Sequence, residues 1–143
     1  MLANDITEWL NGNTTPGYRE YLRQNEAETR TLLKAAGLAV NSEIGEFYLN
    51  HGADTVRGWY DLLEVDELAD ATGYAHEELG VPARFVALTG TEGQGIVLYD
   101  TASHAVFDVE FGQFDALADG ALAPIAATFS AFLRWCMAQD RDA

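Results

Sequence analysis

The sequence predicts an α+β domain in which helices pack on an antiparallel strand meander. Three observations carry that expectation. Residues 86–111 read as three short strands, VALT, IVLYD and AVFDVEF, separated by the turn sequences GTEGQG and TASH. In the last strand a two-residue period puts Val106, Asp108 and Glu110 on one face and Phe107, Val109 and Phe111 on the other, the pattern of a half-buried strand. Connections of about four to six residues join antiparallel neighbours, and the flanking chain carries apolar residues at helical spacing to cover the apolar face.

Taken in order, Asn4 or Asp5 caps a short helix through Leu10, which Asn11-Gly12-Asn13 ends. Thr15-Pro16 is a cap and first-turn signal for a helix reaching Ala36, with Tyr18, Tyr21, Leu22, Leu32 and Leu33 as its apolar positions and the polar stretch RQNEAETR in its middle. Gly37 suits the position after a helix end. Asn41-Ser42 caps the next helix, which carries Ile44, Phe47 and Tyr48 and ends at Gly52. Trp59, Tyr60, Leu62 and Leu63 form a short apolar segment, either a strand or an extended connection. Asp66 opens a helix containing Leu68 and Ala69, stopped by Gly73, and Val81-Pro82 leads into the first strand. After the meander, FGQFDALADGALAP is a compact loop with one helical turn. Pro124 then starts a final helix with Ile125, Phe129, Phe132, Leu133 and Cys136 in one stripe. No repeat or linker appears, so the 143 residues are expected to form one domain large enough to bury a core without cross-links.

Charge narrows the partners. The chain holds 8 basic and 23 acidic residues, a net charge of −15. Residues 35–133 contain only Arg57 and Arg84 against 16 acidic groups, whereas residues 1–34 are nearly balanced. Nucleic acid and anionic membrane require clustered Lys and Arg, so neither is an expected partner. A basic protein suits the charge, because opposite potentials steer association. Cys136 is the single cysteine, so no intramolecular disulfide forms, and a reducing, cytoplasmic location is expected. The first residues lack a basic region followed by a long apolar run, and no apolar run reaches the roughly 18–20 residues of a membrane span.

No catalytic or cofactor chemistry is expected. Gly90-Thr91-Glu92-Gly93-Gln94-Gly95 lacks the Gly-Lys-Ser/Thr ending of a P-loop, and a strand follows it where a phosphate site needs a helix. Glycines needing positive φ account for that turn. His51, His76 and His104 have no metal-motif spacing, and their sequence positions suggest turns and helix ends. His104 and Asp108 with Ser103 or Ser130 have the residue types of a base, an orienting acid and a nucleophile, but no G-x-S-x-G elbow accompanies them. Cys136 lies on an apolar stripe and reads as an inert buried thiol. Trp59 and Trp135 suit either the core or an interface anchor. Asp61, Glu64, Asp66, Glu67, Asp70, Glu77 and Glu78 place seven carboxylates within 18 residues, without the spacing of a calcium loop. Such a run is either a solvated face or, together with Trp59 and Glu92, the docking surface of a basic partner.

The order of features resembles the SUKH superfamily, which includes a yeast regulator of cell-wall synthesis and many bacterial immunity proteins. The resemblance runs over residues 28–136, leaving 1–27 as a helical extension. It is carried by the helix ending in Gly37-Leu38, by SEIGEFYLNHG ending at Gly52, and by the Trp59 segment with Leu62-Leu63 and Glu67-Leu68. Val81-Pro82, GTEGQGIVLYD, AVFDV and the closing IAATFSAFLRW complete it. His51-Gly52-Ala53 stands where the superfamily has Asn-Gly-Gly, and Val40-Asn41 replaces its proline. The resemblance implies an antiparallel sheet of about four to six strands flanked by helices. It also implies non-enzymatic neutralisation of a cognate toxin, often a nuclease, or, as for the yeast member, a regulatory adaptor role.

Overall fold

A computed structural model of the chain describes residues 1–56 and 60–142. Its centre is an antiparallel sheet in the order β1 (Phe85–Ala87), β2 (Gly95–Asp100) and β3 (Val106–Glu110). Phe85 pairs with Asp100 across β1 and β2, and Val97 pairs with Asp108 across β2 and β3. The meander read from residues 86–111 is therefore present. The expected four to six strands are not: among the described residues the sheet has three, and neither outer edge pairs with a further strand. On the β3 side Ala126 makes an isolated bridge to Val106, and nearby Pro124 has no N–H with which to lengthen it. On the β1 side the Leu63 N–H donates to the Leu88 carbonyl at 2.8 Å without a strand forming.

Seven α-helices among the described residues surround the sheet: α1 (Asn4–Gly12), α2 (Pro16–Gln24), α3 (Glu26–Ala35), α4 (Glu43–Asn50), α5 (Leu68–Glu78), α6 (Phe114–Ala118) and α7 (Phe129–Asp142). Short 3₁₀ turns cover Ala53–Thr55 and Val65–Glu67. Several boundaries follow from local chemistry. The Thr15 hydroxyl accepts the Tyr18 N–H and the Ser42 hydroxyl accepts the Gly45 N–H, each capping its helix. Gly37, at φ +85°, lets the Leu38 N–H return to the Leu33 carbonyl and close α3.

Other boundaries differ from those expected. The helix expected to reach Ala36 breaks at Asn25, whose backbone leaves the helical region while its side-chain amide donates to the Tyr21 carbonyl. Ala3, not Asn4 or Asp5, occupies the cap of α1, which extends to Gly12. Helix α5 passes through Gly73 because its neighbours are anchored on β1. The Thr72 hydroxyl accepts the Ala87 N–H at 3.0 Å, and His76 Nε2 donates to the Phe85 carbonyl at 2.8 Å. The last helix starts at Phe129 rather than Pro124, because the Thr128 hydroxyl accepts the Ala131 N–H. Ile125 is left outside the helix and exposed, while Ala126 is buried.

The sheet divides the core in two. Val86, Leu88, Val97, Tyr99 and Val106 face a large layer with Ile6, Leu10, Leu33, Ile44, Phe47, Phe129, Phe132 and Leu133 from α1, α3, α4 and α7. Phe85, Ala87, Ile96, Leu98 and Val109 face a smaller layer with Ala75, Val81 and Leu117. Five consecutive residues of β2, Ile96 to Asp100, are buried, which explains the unbroken apolar run IVLY: both faces of that strand are covered.

Asp100 is the exception in that run, and it organises the turn to β3. Burial alone would raise its carboxyl pKa, but the Ala102 N–H, the Ser103 hydroxyl and N–H, and the Arg84 guanidinium hold it below the usual carboxylate range. We predict that Asp100→Ala destabilises the fold by about 1–3 kcal/mol, since it strips donors that are partly buried. Urea unfolding of both proteins checks this, with an unchanged midpoint as the contrary result.

Candidate functional site

The connection from Tyr60 to Glu64 has no regular structure, yet it is anchored at three points. The Tyr60 ring packs against Phe132 and Trp135 of α7, with centroids 5.5 and 5.3 Å away. Its hydroxyl donates to Asp108 Oδ2 at 2.7 Å. Burial first, and then this bond, push the Tyr60 pKa well above that of a free phenol. The Tyr48 hydroxyl, from α4, donates to the Leu63 carbonyl at 3.0 Å. The third anchor depends on Thr89. Its hydroxyl replaces a main-chain acceptor for the Val97 N–H, at 3.0 Å, leaving the Leu88 carbonyl for Leu63. Beyond Leu63 the chain turns directly into α5, and Glu67 Oε1 accepts the Glu64 N–H to close that turn.

Two neighbouring clefts flank the β1–β2 loop. One, of about 680 Å³, is lined in part by Tyr60, Asp61, Glu67, Glu92, Asp108 and Glu110. The other, of about 350 Å³, is lined in part by Asp66, Glu67, Asp70, Tyr74 and Glu92. Leu63, Glu67, Thr89, Gly90, Glu92 and Ile96 belong to both, so the clefts form one surface. Seven exposed carboxylates, from Asp61, Asp66, Glu67, Asp70, Glu92, Asp108 and Glu110, occupy it, and no Lys, Arg or His lines either cleft among the described residues. Such a surface attracts cations over roughly a Debye length, about 8–10 Å at physiological salt. The helix itself accounts for part of the charge, since Asp66, Glu67 and Asp70 lie at the start of the helical run and complement its dipole.

The acidic residues read from the sequence separate into groups. Asp61, Asp66, Glu67, Asp70 and Glu92 come together. Glu64 lines a different cleft with Tyr18 and Tyr48. Glu77 and Glu78 are exposed at the C-terminal end of α5 and line none of these clefts. Trp59 lies outside the described residues. Asp108 and Glu110 were the omission, although their shared face was visible in the alternation of AVFDVEF. Trp135 is half-buried against Tyr60.

The glycine-rich loop has a different cause from the one expected. Gly90, Gly93 and Gly95 do not adopt positive φ. Gly95 is required by proximity, because a β-carbon there would collide with the Val109 carbonyl and the Glu110 backbone on β3. The hydrolytic constellation is also not assembled. His104 Nδ1 shares a 2.6 Å hydrogen bond with the Tyr99 hydroxyl, Asp108 is engaged by Tyr60, and Ser130 donates to Glu43. The Ser103 hydroxyl accepts the Ala105 N–H. His51 is not on the surface: it is buried after α4, with Nδ1 unpartnered, and burial lowers its pKa despite Glu46 nearby. His76 is partly buried against β1. Cys136 is buried, with its thiol pushed up to about 12 by desolvation. Among the described residues no group of three or more His, Cys, Asp or Glu side chains is arranged to hold a metal, and no helix is long and apolar enough to cross a membrane.

Glu64 gives a pH test of this geometry. Burial, and then the charge of Asp54, raise its pKa above the ordinary 4.5, against a smaller opposing effect of the Tyr18 hydroxyl. The folded chain thus holds that proton more tightly than the unfolded chain, and ionisation costs stability as pH rises through 4.5 and the folded value. Glu64→Gln is expected to be more stable than the parent at pH 7 and to lose that advantage by pH 4. Thermal unfolding at both values measures it, and a pH-independent difference contradicts it.

Comparison with protein-family models, with curated proteins and with solved structures finds no match for this chain.

Proposed function

We propose that this chain is a non-enzymatic binding protein that neutralises a basic toxin domain, of nuclease type, by attaching to it in a one-to-one complex. The observation that carries the reading is the continuous face of seven carboxylates around the β1–β2 loop, without a lining cation among the described residues. A domain that grips nucleic acid must present clustered Lys and Arg, and such a cluster is complementary to this face. The resemblance of residues 28–136 to the SUKH superfamily supports the same reading from the sequence. Each exposed ion pair contributes only about 0.2–1 kcal/mol. The acids therefore govern encounter rate and exclusion of wrong partners, and the affinity comes from a few anchors among them.

The direct test mixes the protein with the C-terminal toxin-like domains encoded beside its gene and measures complex formation and rescue of growth. A stable complex with one of them, and rescue, is the expected result; neither complex nor rescue with any of them sinks the proposal. A regulatory adaptor would instead give a deletion phenotype in cells without such toxins. Within a complex, the combined change Asp61→Asn, Asp70→Asn, Glu92→Gln and Glu110→Gln removes four exposed charges that accept no hydrogen bond within the described chain. It is expected to lower the association rate roughly tenfold at low salt, to flatten its salt dependence, and to leave the unfolding midpoint nearly unchanged. Stopped-flow binding across a salt series reads the first two effects.

A further inference from the structure

A third cleft, of about 370 Å³, opens where the break between α2 and α3 meets the end of α4 and the turn into α5. Its size is at the small end of ligand pockets, room for one side chain rather than a nucleotide. Tyr18, Tyr21 and Tyr48 line it together with Glu28, Glu64 and Asp66, and no Lys, Arg or His does among the described residues.

The lining is positioned by the fold. The Tyr18 ring lies on the backbone of Gly52, where a β-carbon would strike its hydroxyl. That hydroxyl reaches Glu64 Oε2 at 3.4 Å, a long contact. The Tyr18 and Tyr21 rings are nearly parallel, with centroids 6.1 Å apart and planes 15° apart. Tyr21 remains 58% exposed. Two tyrosines so held, one of them left open to solvent, and a half-buried carboxylate that meets Tyr18 only at a long distance and caps the turn at Glu67 form a partly built cation receptor. Guanidinium suits it better than ammonium. It is planar and weakly hydrated, stacks on aromatic rings, and presents several N–H donors to carboxylates.

We propose that this tyrosine-lined cleft receives the guanidinium group of an arginine side chain on a basic protein partner. The proposal rests on the preceding reading for the source of the arginine, but its chemistry is testable without that partner.

The probe is N-acetyl-arginine methylamide, titrated into the 143-residue protein and followed by amide NMR shifts. Its citrulline and lysine counterparts serve as controls. The expected result is saturable shifts at Tyr18, Gly52, Glu64 and Val65, with no response to the neutral citrulline analogue and a weaker one to lysine. Glu64→Gln is expected to weaken binding about tenfold, the loss of one charge-assisted contact. Tyr21→Ala, at an exposed position that the core does not need, is expected to weaken it severalfold. Equal responses to arginine and citrulline, or to arginine and lysine, overturn the proposal. So do shifts confined to the loop bearing Glu92, or unaltered binding in both variants. The two readings fail separately. A toxin complex that forms through Asp61 and Glu92 while the cleft ignores arginine removes the receptor alone. Arginine binding without any such complex leaves the receptor and removes the toxin partner.

Discussion

Strand β2 must bury both of its faces in a sheet only three strands wide, and most of the architecture follows from satisfying it. Covering a fully buried Val, Leu or Ile side chain contributes about 1.5–3 kcal/mol, so neither Val97 and Tyr99 on one face nor Ile96 and Leu98 on the other can be left to water. Helices α1, α4 and α7 converge on the first pair, while α5 and α6 close over the second. Two helical layers on a narrow sheet also limit its growth. Leu63 and Ala126 reach the outer edges without extending the sheet: Leu63 donates one hydrogen bond to the Leu88 carbonyl, and Ala126 makes an isolated bridge to Val106.

The acidic face lies where this covering stops. Val106 is buried under the large layer, but two and four residues further along the same face of β3, Asp108 and Glu110 are exposed. Opposite Glu110 the sheet carries Gly95, which brings no side chain. An uncovered end of a sheet tolerates polar residues, and here it meets the first turn of α5, where the helix dipole favours acids. Two independent reasons for negative charge thus coincide in space, and their sum is a surface with one sign.

How much of this was legible depended on how local the cause was. Thr15, Ser42 and Gly37 announce helix ends because the groups they satisfy are within a few residues, and the two-residue period of β3 records its exposure directly. Gly73 misled because the reason for continuing α5 lies on another element, where Ala87 and Phe85 bond to Thr72 and His76. Gly95 misled because crowding by β3, rather than its own torsion angle, calls for glycine. The acidic residues near the start of α5 were readable as a cluster from spacing alone. Glu64 nonetheless parted from its neighbours, and Asp108 joined them from 38 residues beyond Asp70, because convergence across a turn or a sheet leaves no mark in sequence spacing.

Thr89 shows what that scaffold permits. By taking the Val97 N–H on its hydroxyl, it frees one carbonyl to hold the segment bearing Asp61, so the shape of the acidic face is set mainly by backbone bonds and tyrosine hydroxyls. The side chains of Asp61, Asp70, Glu92 and Glu110 themselves accept no hydrogen bond within the described chain. Their identities can drift while the fold beneath stays fixed, so under the proposed binding role recognition and folding would evolve on nearly separate sets of residues.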